Sequence, residues 1–166
     1  GRSVARESLH PDQLDMLVAL LEAGAEFLVV GGFAFAAHAY IRATKHIDFW
    51  VRPTPSNAER VWQALLNFQA PVHAHGLTLD DLAAQNLLYQ VVLPPARVDL
   101  ITTVADLDFA ECWQRRVRVS VGDLDVPVLG LDDLIHAKRV ADRKQDRLDV
   151  SMLLEVKQMS RRKSTP

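Results

Sequence analysis

His46 and Asp48 stand two residues apart in the run Lys45-His46-Ile47-Asp48-Phe49-Trp50-Val51. On a strand, residues at i and i+2 project from the same face, so an imidazole and a carboxylate would share one site and could hold one metal ion. Asp99 is a third candidate. It lies in Arg97-Val98-Asp99-Leu100-Ile101, where a buried carboxylate needs a partner to offset its desolvation. That partner is either a cation shared with His46 and Asp48 or an arginine, with Arg42 and Arg97 the candidates; spacing alone leaves both open. Gly31-Gly32 adds a different chemistry. Without Cβ atoms, two glycines let the chain turn sharply and let a phosphate approach the amides, and a helix N-terminus behind them favours an anion. A tight turn packed on small residues explains the same pair without a ligand.

The elements that must position these groups are legible from periodicity. Asp12 is placed to cap a helix from Gln13 to about Ala23, with Leu14, Leu17, Val18 and Leu21 on one face. Phe27 to Val30 is a continuous apolar run, as expected of a central strand buried on both faces. A helix of alanines and aromatics begins at Phe33 and carries His38, expected as a satisfied core histidine. His46 to Arg52 alternates as a strand, with Trp50 on the His46/Asp48 face, where it would stack on a base or roof the cleft. A helix over about 57–68, a short one near 79–84, strands at 87–93 and 97–101 joined across Pro94-Pro95, and a short helix over 106–114 follow. Strands at 117–121 and 124–128 form a hairpin around Gly122-Asp123. The C-terminal part is helical, over about 131–141 and 145–159. Asp146 and Asp149 share a helix face and read as partners for Arg143 or Lys138.

The expected fold is α/β (α+β): a small mixed sheet with flanking helices and a helical C-terminal portion over about 131–160, all within one domain spanning the 166 residues. About half the residues are apolar and a quarter are charged, as in ordinary globular proteins. The longest nearly uncharged stretch, Phe27 to Ile41, is too short to span a bilayer. Cys112 is the single cysteine, which excludes an internal disulfide and fits a reducing compartment; the expectation is cytoplasmic, with no membrane partner. Cys112 itself receives no role. His73 and His75 form a His-x-His pair with no third ligand in view and read as a solvated loop. From Lys138 to Lys163, nine Lys and Arg stand against four Asp and Glu, a basic stretch that tilts the partner slightly towards RNA.

The run Gly31-Gly32-Phe33-Ala34, followed by Arg42-Ala43-Thr44-Lys45-His46-Ile47-Asp48, resembles the signature of the nucleotidyltransferase superfamily that has the DNA polymerase β-like fold. That signature is a Gly-Gly turn, an Arg-x-Thr and an Asp-x-Asp on the next strand; the later third carboxylate matches Asp99. The segment Lys138 to Asp149 is similar to the Lys, Arg-x-Lys-Asp and Asp of the abortive-infection and toxin branch. There are two departures: His46 replaces the first carboxylate, and Gln145 stands where that branch often has Lys.

The resemblance implies metal-dependent transfer of a nucleoside monophosphate from an NTP to a hydroxyl of RNA, a protein or a small molecule. It implies Gly31 and Gly32 at the β- and γ-phosphates, and Arg42 and Thr44 at the triphosphate or bracing the metal strand. It also implies a metal at His46, Asp48 and Asp99, with Asp48, Asp99 and Lys138 catalytic: Asp99 as general base and Lys138 on the phosphate charge. The metal would be Mg2+ or Mn2+. Mg2+ asks for oxygen ligands, whereas an imidazole removes one negative charge and favours Mn2+ or Zn2+. His46 therefore implies an altered metal preference, much reduced activity, or a fold kept for binding alone. The last is a catalytically silent member that binds a nucleotide or a cognate protein partner, as in a toxin–antitoxin pair.

Overall fold

The computed structural model describes residues 2–40 and 45–164. Arg42 and Thr44 lie outside the described residues. The element order is β1 (Arg2–Val4), α1 (Pro11–Glu22), β2 (Phe27–Val30), α2 (Gly31–His38), β3 (His46–Val51), α3 (Pro55–Phe68), α4 (Leu79–Ala83), β4 (Leu88–Val92), β5 (Arg97–Ile101), α5 (Phe109–Gln114), β6 (Val117–Val121), β7 (Leu124–Val128), α6 (Leu131–Ala141) and α7 (Lys144–Ser164). The strands form one mixed sheet in the order β1-β6-β7-β2-β3-β5-β4. Sheet, flanking helices and helical C-terminal part agree with the α/β (α+β) expectation.

Central position explains the composition of β2. All four of its residues are buried, between β7 on one side and β3 on the other. Its antiparallel register with β3 sets Val30 opposite Asp48, and the parallel register of β3 with β5 sets Asp48 beside Asp99 and His46 beside Arg97. Packing holds that register: Phe27 and Phe49 meet edge to face with ring centroids 5.6 Å apart, a geometry worth about 0.5–1.5 kcal/mol beyond the burial of the rings. Around the sheet, α1 packs on α3 and α3 on α4, while α6 packs on α7 and both touch α2.

Several details depart from the sequence reading, among them the start of α2 at Gly31 rather than Phe33 and of α5 at Phe109 rather than 106. Helix α1 begins at Pro11 rather than Gln13, because His10 caps it: its Nδ1 accepts from the Asp12 amide, and the Gln13 side chain accepts from the His10 amide. Proline at the first helical position costs no hydrogen bond there. The short parallel strand β1 has no counterpart in the periodicity, since three residues give no pattern to read. Trp50 is buried instead of facing the cleft. Its ring meets Phe109 edge to face at 5.0 Å, and its indole N–H donates to the Thr102 carbonyl at 3.1 Å. Helix α5 covers that end of β3, so no base can stack on Trp50.

Cys112, on α5, is fully buried, and burial first and Asp133 second push its thiol up to about 12. At pH 8 the native protein is therefore expected to resist thiol alkylation, with labelling appearing only as denaturant unfolds the chain. Rapid labelling of the native protein would show instead that α5 opens on its own.

Candidate active site

Gly31 starts α2 directly from the end of β2, with φ at +68°. A Cβ at this position would come within 2.6 Å of Asp48 Oδ2. Both the backbone angle and the carboxylate packed against it require glycine. No side chain caps the start of α2, and Gly31 and Gly32 line a cleft of about 480 Å3. A helix N-terminus opening into a cleft presents amides and partial positive charge to an anion.

The wall opposite is built from β3 and β5. Asp48 and Asp99 are register partners on these parallel strands, and their neighbours His46 and Arg97 stand one step away on the same face. His46 Nε2 lies 3.2 Å from Asp48 Oδ2. Arg97 forks onto Asp99, donating from Nε at 3.2 and 3.1 Å and from Nη2 at 2.8 Å. Asp99 is 2% exposed, so this pairing answers its desolvation. Burial pushes the Asp48 carboxyl above its ordinary range and the Asp99 charge adds to the rise, against the opposing pull of His46.

The third wall comes from the C-terminal helices. Lys138 on α6 donates to Asp149 Oδ2 at 2.8 Å and stands 3.7 Å from Asp146 Oδ1. Asp149 also accepts from Gln145 Nε2 at 2.8 Å, while Asp146 accepts from the Arg143 amide and from Arg143 Nε at 2.7 Å. Both carboxylates are buried. Burial alone would raise Asp146, but the hydrogen bonds from Arg143 outweigh it and hold the carboxyl below its ordinary range. The expected pairing of Asp146 and Asp149 with Arg143 and Lys138 is what the structure shows.

Gly31, Gly32, His46, Asp48, Asp99 and Lys138 thus line one cleft although they come from three separate blocks of sequence. No family model and no curated protein matches the chain. Among solved structures, the chain is similar to the lincosamide antibiotic adenylyltransferase LnuA with lincomycin bound. The TM-score is 0.54 at 11% identity, over 89% of this chain and 98% of that one. The fold is nucleotidyltransferase-like.

The carboxylates of the β3–β5 wall already have partners. Both Asp99 oxygens accept from Arg97, and His46 sits on one oxygen of Asp48. Among the described residues, no group of three His, Cys, Asp or Glu is arranged to hold a metal ion. Two carboxylates already answered by a guanidinium and an imidazole do not fit a pair of Mg2+ ions, which want several free oxygen ligands in octahedral geometry. Of the two arginines considered for Asp99, Arg97 is the one that pairs with it among the described residues.

The cleft is also lined by Arg97 and Arg143, which the sequence reading had only as partners of carboxylates, and by Gln145, to which it gave no role. Alternation would have found the first, since Arg97 and Asp99 are i and i+2 on one strand. The remaining histidines are accounted for by contacts. His38 donates from Nε2 to the Leu129 carbonyl at 2.8 Å, as a satisfied core histidine should. His75 Nδ1 lies 2.8 Å from the Tyr89 hydroxyl, and His73 sits edge-on to Trp62. No described helix is long and apolar enough to cross a membrane.

Proposed function

We propose that this chain binds a nucleoside triphosphate in the cleft and transfers its nucleoside monophosphate to an acceptor hydroxyl. The observation that carries the reading is the convergence of Gly31-Gly32, Asp48, Asp99 and Lys138 on one cavity. The fold likeness to an adenylyltransferase supports it. The uncapped start of α2 receives the β- and γ-phosphates, and Lys138 and Arg143 meet polyphosphate charge from the opposite wall. The acceptor oxygen attacks the α-phosphorus, the bond to the bridging oxygen breaks, and pyrophosphate leaves. The acceptor proton passes to Asp48. Burial raises that carboxyl, and the described residues leave its Oδ1 without a donor, whereas Asp99 is held on both oxygens. RNA, a protein and a small molecule are the acceptor classes to screen.

A specific observation favours a second reading. Phosphoryl transfer relies on neutralising the triphosphate, and Lys138, Arg143 and Arg97 are each already paired with a carboxylate. On that basis the chain is a catalytically silent member that binds a nucleotide or a cognate protein, as half of a toxin–antitoxin pair.

The test is a thermal-shift titration with each of the four NTPs in Mg2+, in Mn2+ and in chelator, followed by transfer of an α-labelled NTP to candidate acceptors. A ligand at a hundred times its dissociation constant stabilises by about 2.7 kcal/mol, a shift of roughly 5–10 °C for a domain of this size. Gly31→Ala, which strains the backbone and displaces Asp48, is expected to lose that shift. A shift with label transfer supports the enzyme, and a shift without transfer supports the silent reading. No shift with any NTP under any condition overturns both nucleotide readings.

A further inference from the structure

A second cavity, of about 350 Å3, adjoins the cleft. The two share Gly31, Ile101, Lys138, Arg143 and Asp146 as a common wall. The second lies between the end of β2, the segment that follows β5, and α6. Buried Val30, Leu129 and Leu134 line it, Val104 and Ala137 join them, and exposed Val140 and Ala141 stand at its mouth. The cleft is therefore the more charged chamber and its neighbour the more apolar. That division suits a ligand with a polyanionic tail and a flat, weakly polar head.

We infer that the apolar chamber seats the nucleobase of the triphosphate and does not discriminate among the four bases. The inference rests on the reading above, that the cleft takes the polyphosphate. Selecting one base requires buried polar groups that the wrong base would leave unpaired. The chamber has almost none. Among the described residues Thr103 is the one neutral polar side chain on its lining, and its hydroxyl donates to Gln85 Oε1 and accepts from the Asn86 amide, each at 2.8 Å. Lys138, Arg143 and Asp146 are engaged with one another and with Asp149. What remains is apolar contact, which every base face can make. The chamber is also held in shape: His136 Nε2 lies 2.6 Å from Asp106 Oδ1 and ties the segment after β5 to α6. Ala105 turns that segment with φ at +49°.

Calorimetric titration of the full chain with ATP, GTP, CTP, UTP and inorganic tripolyphosphate tests the assignment. The four nucleotides are expected to bind within about tenfold of one another, as apolar contacts dictate, and tripolyphosphate at least about tenfold more weakly. Ala137→Phe fills the chamber, and Ala141→Phe blocks its exposed mouth without loading the core. Either substitution is expected to lower NTP affinity to that of tripolyphosphate while leaving tripolyphosphate binding unchanged. If both variants bind NTP like the parent while tripolyphosphate still binds, the base lies elsewhere and the polyphosphate reading survives alone. If they bind NTP normally but lose transfer, the chamber holds the acceptor and the inference falls. A preference of about a hundredfold for one base overturns the lack of discrimination. Failure of the parent chain to bind either an NTP or tripolyphosphate overturns this inference together with the reading beneath it.

Discussion

Asp149→Ala is expected to lower the melting temperature by roughly 6–20 °C, the largest stability loss of any single polar substitution in the cleft. Asp149 is fully buried and accepts from Lys138 Nζ and Gln145 Nε2, each at 2.8 Å. Removing one partner of a buried ion pair leaves the other charge desolvated, at a cost of about 3–5 kcal/mol. Lys138 has Asp146 as its remaining acid, at 3.7 Å, and Arg143 already claims that carboxylate. Asp149→Asn separates charge from packing, because it keeps the volume and loses the anion. Lys138→Met combined with Asp149→Leu removes both charges and is expected to recover most of the lost stability, since well-packed apolar pairs often replace buried ion pairs without penalty. Thermal melts of the four proteins decide it. A drop below about 2 °C for Asp149→Ala would mean that water reaches the pair and that α6 and α7 are not held by it.

The consequence for function follows from position. Lys138 lines both chambers, so the carboxylates that fix it also fix the one ammonium available at their shared wall. Asp149 is a positioning residue on this view. Asp146 works beside it through Arg143, and its depressed carboxyl makes that contribution pH-dependent in a defined direction. It is present above the unfolded carboxylate range, near 4, and is lost as pH falls through the lower folded value.

How much of this was readable from sequence depends on the range of the interaction. Strand β5 was legible to the residue, because Arg97, Asp99 and Ile101 alternate against apolar Val98 and Leu100. The clustering of Gly31 with Asp48 was legible only through a family pattern, since periodicity cannot say that β2 and β3 pair with Val30 opposite Asp48. Whether Arg97 would fork onto Asp99 was not legible at all. It turns on a side-chain fork of about 3 Å, and an i, i+2 spacing serves either outcome. Trp50 misled for a related reason: alternation gives the face of a strand correctly but not which part of that face a helix covers, and α5 covers this part. The apolar chamber has no linear signature, because its lining comes from four separated segments, each apolar for ordinary core reasons.

His46→Asp is expected to make the cleft respond to divalent cations where the parent chain does not. The substitution removes the imidazole that stands 3.2 Å from Asp48 Oδ2 and puts a third carboxylate on a face that already holds Asp48 and Asp99. In chelator the added charge has beside it only Arg97, already forked onto Asp99, and like charges on one strand face repel, so the variant melts below its parent. Mn2+ or Mg2+ then neutralises the cluster. Saturation at about a hundred times the dissociation constant returns about 2.7 kcal/mol, a rise of roughly 5–10 °C. The parent melt is expected to be indifferent to either ion, because Arg97 and His46 already engage the two carboxylates of the β3–β5 wall. Adding Arg97→Ala frees both oxygens of Asp99, and the double variant should bind cation more tightly than His46→Asp alone, at a further cost in stability when no cation is present. The ordering of the three proteins carries the argument, since unspecific cation binding would raise all three melts equally. Equal rises in His46→Asp and the double variant, with none in the parent, would mean that the Arg97 fork opens readily for a cation. A graded response tied to nucleotide-dependent transfer would mean that a single imidazole keeps this cleft from metal-dependent transfer.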